Sequence, residues 1–489
     1  MNRLYLLFFI PLFYACSSTD ESTNKSSGEQ VNDKDQHPIQ LTIITGEVLN
    51  ATEQFATIER VNNVIDRQID TLGIGELLAN NKFNIELEIS EPTFTTFKLG
   101  KKRIPVFLIP GDSLSISYDA TNKEVPNSFG GAAAVYAKFL ESHNAFDRPA
   151  SREINGLYTK SESDFAAGLN DIWKRRNAYL DSAFSAQNLH EKFEQTIRGK
   201  IEYSMGLSVL QYPMIYRYNQ DKSYQPNSSY YGSFPEIKLQ NEALIESRTY
   251  VTYAANYVNT EIDIITAKDT AAEMTPDGKL KLAFLLVHKH FDVPQVADVI
   301  QSYLLYDHLR FNGATALEEL FATYEIQCKN DELKEIVSST YQKYYTISPG
   351  KPAPEFSYPN IDGDTIALSN FAGNLVYIDA WATWCGPCKR EIPHLKEMEA
   401  HFENDKVEFV SISLDTDKGK WEKMVTEKQL GGTQLYVGAF VGSKIAEDYQ
   451  IGFIPRFMLI NSDGKIISTS APRPSEGAQE FIEEHLQKL

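Results

Sequence analysis

The chain has 489 residues and a formal net charge of -19 at neutral pH, with 47 Lys and Arg against 66 Asp and Glu. That balance excludes a nucleic-acid role, because a phosphate backbone demands a basic face. The length suggests about three domains of ordinary size, and no run of about 18 apolar residues occurs that would cross a membrane.

From the start of the chain, Met1 to Ala15 reads as a signal peptide. Arg3 gives a small positive start, and Leu4 to Ala15 is apolar but too short to span. Leu12-Phe13-Tyr14-Ala15-Cys16 resembles a bacterial lipobox, which implies cleavage before Cys16, lipidation of that cysteine and a membrane anchor. Residues 16–38 are polar and charged, with Val31 the only aliphatic residue. Such a segment buries too little surface to fold and is expected to be a flexible tether.

Residues 39–125 read as strands. Phe83, Ile85, Leu87 and Ile89 alternate with Asn84, Glu86 and Glu88, a half-buried strand pattern. Leu41 to Ile44, Phe55 to Ile58, Phe94 to Leu99, Val106 to Ile109 and Leu114 to Tyr118 continue it, with a Pro110-Gly111-Asp112 turn. The region resembles the DUF4369-like module, a small β-sandwich of Bacteroidetes lipoproteins. It holds no Cys or His, so no chemistry is expected there.

Residues 126–346 read as an α-helical domain. Phe165, Leu169, Ile172, Trp173, Leu180 and Phe184 recur at helical spacing after a cap-like Ser161-x-x-Asp164. Further helices fit 188–210, 279–291, 295–310, 315–327 and 331–345, while the Tyr-rich, Pro-containing piece Tyr212 to Tyr231 reads as an ordered loop. His288 and His290 stand two apart on a helix and face away from each other, with no third ligand in step, so no metal site is expected. Cys328 follows an apolar helical face and reads as a buried structural thiol.

Residues 347–489 carry the chemistry. Leu375 to Ile378 has the β-branched content of a buried strand. A turn follows, then Trp384-Cys385-Gly386-Pro387-Cys388-Lys389-Arg390-Glu391, with Pro387 where a first helical turn tolerates a missing N–H. Cys385 then stands at a helix N-terminus, where unpaired N–H groups favour thiolate over thiol. Such a thiolate is suited to disulfide exchange.

This pattern resembles the thioredoxin superfamily, which has an α/β fold. The resemblance extends to Asp379, six residues before Cys385, to Pro393, eight after it, and to Ile454-Pro455 as the cis-proline site. Cys385 and Pro455 are 70 apart, room for an extra strand and helix. With Gly350-Lys351-Pro352-Ala353-Pro354 and Glu391, this looks like the TlpA/ResA branch of envelope proteins. The resemblance implies a redox-active disulfide Cys385–Cys388 with no other cofactor. Cys385 is expected to be the exposed attacking thiol and Cys388 the shielded resolving one. Asp379 would be a desolvated proton relay, and Glu391 an acidic neighbour or an ordinary exposed helix charge. Pro455 would be the proline facing the sulfurs, with Trp384 and Ile454 docking a substrate peptide. Arg456 departs from the Thr often found after that proline.

Two other chemistries fit poorly. A structural zinc needs four ligands, and no second Cys or His pair is present. The peroxiredoxin pattern Pro-x-x-x-Thr-x-x-Cys meets Ile378 and Ala382 instead of Pro and Thr. The family implies reduction of disulfides in envelope proteins or of apocytochrome c, with electrons from a membrane thiol carrier of the DsbD or CcdA kind. It also implies a periplasm-facing or outer-membrane location. The alternative is a surface or periplasmic binding lipoprotein whose thioredoxin domain is accessory.

Overall fold

The computed structural model describes residues 40–122, 124–267, 274–403 and 405–488. The signal peptide, the tether and Cys16 lie outside them.

The first strands are β1 (Gln40–Leu49), β2 (Phe55–Val61), β3 (Ile69–Glu76), β4 (Lys82–Ile89), β5 (Thr93–Leu99), β6 (Lys102–Leu108), β7 (Ser113–Asp119) and β8 (Ser128–Gly130). They make two four-stranded sheets, ordered β4-β1-β7-β8 and β3-β2-β5-β6. β4 buries Phe83, Ile85, Leu87 and Ile89 and exposes the polar residues between them. A one-residue slip against β1 would turn that face to water. β3 and β8 had no clear alternation in the sequence.

Eight α-helices follow among the described residues: α1 (Ala134–Leu157), α2 (Glu162–Ser185), α3 (Glu191–Asn219), α4 (Arg248–Thr266), α5 (Pro276–His290), α6 (Pro294–Asn312), α7 (Glu318–Gln327) and α8 (Asp331–Thr346). Ser161 caps α2 by accepting from Asp164 N. The loop expected over Tyr212–Tyr231 is in part helix, since α3 runs through Pro213 to Asn219. Pro213 removes the N–H that the Val209 carbonyl would accept, and the Tyr230 hydroxyl donates to that carbonyl at 2.8 Å. The Tyr212 ring stacks on Phe165 at 4.1 Å. Tertiary packing and a replacement donor thus carry the helix past its breaker. α1 and α4 were also missed, as Pro149 interrupts one pattern and tyrosines blur the other.

One hydrophobic core joins the two sheets to α1–α3, and a second joins α4–α8. Phe193 of α3 ties sheet to helices, with ring centroids 5.5 Å from Phe94, 5.2 Å from Phe107 and 5.0 Å from Tyr136. His288 meets Gln301 and Gln327, and His290 meets Glu261. Cys328 is buried and unpaired, its thiol 3.5 Å from the Asn330 carbonyl.

The last region holds β9 (Ser357–Pro359), β10 (Thr365–Ala367), β11 (Leu375–Trp381), α9 (Gly386–His401), β12 (Val407–Ser413), α10 (Lys418–Lys428), β13 (Thr433–Tyr436), α11 (Lys444–Asp448), β14 (Arg456–Ile460), β15 (Ile466–Ser468) and α12 (Ala478–Leu486). Its five-stranded sheet runs β13-β12-β11-β14-β15. β11 is parallel to β12 and antiparallel to β14, and all seven of its residues are buried. Covered on both faces, the strand shows a continuous apolar run rather than alternation. Asp379 interrupts that run.

The helical region touches this sheet beside residues 450–456. Phe311, next to the end of α6, packs on Phe453 at 4.8 Å, and its carbonyl accepts from Ser470 Oγ at 2.9 Å. Tyr344 of α8 donates to the Gln450 carbonyl at 3.4 Å.

Because Phe193 is fully buried among these rings, Phe193→Ala is expected to cost about 3–5 kcal/mol of stability. Denaturant midpoints measure this, and a loss below about 1 kcal/mol would show that the sheet–helix core can collapse around the gap.

Candidate active site

After β11, Thr383 and Trp384 turn the chain into α9. Asp415 holds that turn, accepting from Thr383 N at 2.9 Å and Thr383 Oγ1 at 2.7 Å. Ser413 Oγ donates to the same carboxylate at 2.8 Å. Cys385 is the N-cap of α9, and its Sγ accepts from Cys388 N at 3.2 Å. Pro387 falls in the first turn, where no N–H is needed. Cys385 and Cys388 are joined as a disulfide.

The expected contrast between an exposed Cys385 and a shielded Cys388 is absent in this oxidised pair, where the two are 5% and 4% exposed. Trp381, Ala382, Trp421 and Val425 pack around both, with Ile454 against them. Cys385 is set apart instead by its place at the helix N-terminus, where its sulfur meets a backbone N–H. Ile454-Pro455 is a cis peptide. Trp384, 60% exposed, flanks the pair on the solvent side.

Asp379 lies in β11 opposite Ser411 of β12 and Phe457 of β14. Asp379 and Cys388 line one small cavity beneath the disulfide. Asp379 Oδ1 is buried without a hydrogen-bond partner. Burial, then the charges of Glu391 and Glu399, push its carboxyl up to about 8. Such a group can hold or release a proton near the pH at which thiols ionise.

Glu391 is not an exposed helix charge. It is buried, and Ser475 holds both carboxylate oxygens, through N at 3.1 Å and Oγ at 3.1 Å. It acts on Asp379 through charge. Arg456 is also buried, with Nε and Nη2 unpartnered and its guanidinium 5.4 Å from the Phe453 ring. Sequence reasoning missed Asp415 and Glu399. Asp415 has no local signal, since its partner Thr383 is 32 residues away. Glu399 had one, because Cys388, Leu395 and Glu399 share a helix face.

The AhpC/TSA family model matches residues 349–469. Thiol-disulfide oxidoreductase ResA of Bacillus thuringiensis subsp. konkukian is 30% identical over 153 residues, covering 30% of this chain and 85% of the relative. The chain belongs to the ResA-like thiol-disulfide oxidoreductases. ResA of Bacillus subtilis is 28% identical over 132 residues, covering 27% of this chain and 72% of that protein. Among solved structures, a thiol-disulfide oxidoreductase from Bacteroides fragilis is 27% identical, covers 28% of this chain and 99% of its own, and gives a TM-score of 0.26. The ResA-like region is the thioredoxin-like C-terminal domain, and the protein is an enzyme of thiol-disulfide exchange.

The Asp379 carboxyl has a sign that stability can test. Its ordinary value of 3.8 is raised to about 8 in the fold, so the native state keeps a proton that the unfolded chain releases. The stability tied to that proton is complete below the unfolded value and is lost as pH rises to the folded one. Asp379→Asn escapes this loss. Its advantage over wild type should grow between about pH 4 and pH 8, by on the order of a few kcal/mol. Denaturant midpoints across that range check it, and a constant gap would rule out a desolvated acid.

Proposed function

We propose that the protein reduces disulfides of envelope polypeptides, cycling Cys385–Cys388 between dithiol and disulfide. The observation that carries this reading is Cys385 at the N-cap of α9 with its sulfur on a backbone N–H, above the neutral-leaning Asp379 carboxyl. The Cys385 thiolate attacks a substrate disulfide, forming a mixed disulfide and releasing one substrate thiolate. Cys388 loses its proton to Asp379 and attacks the Cys385 sulfur. The internal disulfide closes as the second substrate thiolate leaves. Two electrons pass from enzyme to substrate, and the two substrate sulfurs take up protons.

Pro455 denies its strand an N–H beside the sulfurs. Ile454 offers backbone groups to an extended peptide, and Trp384 offers an apolar surface. Glu391, held by Ser475, is the acidic neighbour of the pair on α9. The substrates we infer are disulfide-bearing envelope proteins or apocytochrome c, and re-reduction needs a membrane thiol carrier of the DsbD or CcdA kind. Lipidated Cys16 and the 16–38 tether would hold the enzyme at a periplasm-facing or outer membrane surface. No helix among the described residues is long and apolar enough to cross a membrane.

A second reading, a binding lipoprotein with an accessory redox domain, has one observation in its favour. A cavity of about 610 Å³ opens between α4, α5 and α6, bordered by Asn259, Lys279, Asp307 and His308. Leu280, Ala283 and Leu304 also line it, and this mixed lining suits a small ligand with both polar and apolar parts. Loss of phenotype on deleting the N-terminal regions, but not on Cys385→Ser, would favour this reading.

Cys385→Ser is expected to abolish insulin disulfide reduction, and Cys388→Ala to accumulate a mixed disulfide with substrate in the native host. Retained turnover in Cys385→Ser would remove the dithiol from the mechanism. For the anchor, wild type should partition into detergent and Cys16→Ala into water. A Cys16→Ala protein that stays fully membrane-bound would contradict lipidation there.

A further inference from the structure

The cavity beneath the disulfide is small and narrow, with about 10 Å³ open to the centre of a water molecule, close to what one water needs. Cys388, Asp379, Trp381, Ser411, Gln434 and Glu399 line it. Three of its buried polar atoms have no protein partner: Asp379 Oδ1, Trp381 Nε1 and Gln434 Oε1. Gln434 is anchored at its other end, Nε2 donating to the Gly431 carbonyl at 2.7 Å. Orphaned polar atoms around a void of this size are the setting of an ordered water.

Glu399 is the one lining carboxylate besides Asp379. It stands 11 residues after Cys388, close to three full turns of α9, so the two share a face. Its head group rests against the backbone of Gly431, where a Cβ would lie 2.2 Å from Oε2. The missing side chain at Gly431 is what lets the carboxylate reach the cavity. Unlike Asp379, Glu399 is only partly buried, so it faces both the cavity and solvent. Burial pushes its carboxyl up to about 7, opposed by Lys396. Lys396 Nζ donates to the Lys428 carbonyl at 2.5 Å instead of bonding Glu399. Among the described residues Lys396 is the one cation that lines the cavity. The other titratable groups around the path are Tyr377 and Asp379 of β11 and Cys388 and Glu391 of α9, while β12 and β13 present uncharged Ser411 and Gln434.

We propose that Glu399 is the outer station of a proton path that runs from Cys388 through Asp379 to solvent. It is a positioning residue that acts on the thiols through Asp379, and the inference rests on the dithiol reading above. During resolution the Cys388 proton goes to the Asp379 carboxylate. The Cys388 electron pair forms the S–S bond to Cys385 as the bond from Cys385 to the substrate sulfur breaks, and that sulfur leaves with its pair. Asp379 then passes the proton through the cavity water to Glu399, and Glu399 gives it to solvent. β12 and β14 flank Asp379 within the sheet, and the cavity on the α9 face is its way out.

The test uses the reduced full-length protein and 5,5′-dithiobis(2-nitrobenzoate) in stopped flow across a range of pH. The first release of nitrothiobenzoate reports attack by Cys385, and the second reports resolution by Cys388. In Glu399→Gln the first phase should match wild type. The plateau rate of the second should fall about tenfold, and its acid-limb midpoint should drop by about one pH unit, because a like charge beside Asp379 is gone. In an Asp379→Asn background, adding Glu399→Gln should change neither value. Gly431→Ala, which displaces the Glu399 head group, should reproduce the slow second phase with the carboxylate retained, and it serves if Glu399→Gln fails to fold. A midpoint that moves with an unchanged plateau, an unchanged second phase, or further slowing in the Asp379→Asn background each overturns the path. Loss of the first phase in wild type would instead overturn the dithiol reading itself.

Discussion

Asp379 stands in the middle of a sheet covered on both faces and forms no ion pair among the described residues. Its neighbours of like sign, Glu391 and Glu399, oppose its ionisation as burial does. Lys396 of α9 lines the same cavity, but its ammonium is engaged with the Lys428 carbonyl. A charge left in such a place would cost several kcal/mol, so the group keeps its proton until the pH approaches that of thiol ionisation. The rest of the C-terminal domain makes this tolerable. The apolar faces of β11 pack into two cores, whose burial offsets one unpaired carboxyl. The domain thereby gains a proton acceptor matched to sulfur.

That acceptor is useful only if the sulfurs stay above it, and long-range contacts fix them there. Asp415 pins the turn before Cys385 from the end of β12. Ser475 pins Glu391 from the segment before α12. The loop carrying Phe453, Ile454 and Pro455 is backed by Phe311 and Tyr344 of the helical region. Part of the surface beside the disulfide is thus set by residues outside the ResA-like region. The buried guanidinium of Arg456 lies in the same contact, over the Phe453 ring.

Much of the site could be read in the sequence because its signals are local. Cys-Gly-Pro-Cys after an apolar run specifies strand, turn and helix N-terminus within a dozen residues. Asp379 and Ile454-Pro455 stand at offsets that the family resemblance supplies. What was missed is non-local. Asp415 and Ser475 act through pairings that no spacing rule reveals. Burial of Cys385 depends on Trp421 and Ile454, which come from α10 and a distant loop. In the helical region, the run from Tyr212 read as loop because Pro213 breaks helices in isolation. It folds as helix because Tyr230 supplies the donor that Val209 lacks. The strand pattern of β4 was legible for the opposite reason, since its burial alternates residue by residue.

The central claim is that Cys385, held at the α9 N-terminus, is the nucleophile and Cys388 is not. The most direct measurement is iodoacetamide alkylation of the reduced protein as a function of pH, with each cysteine followed by peptide mass spectrometry. The account predicts that Cys385 is modified well below the pH at which a free thiol reacts, whereas Cys388 stays unmodified until the fold is lost. Equal modification of the two in the native protein, at the pH of an ordinary thiol, would contradict it.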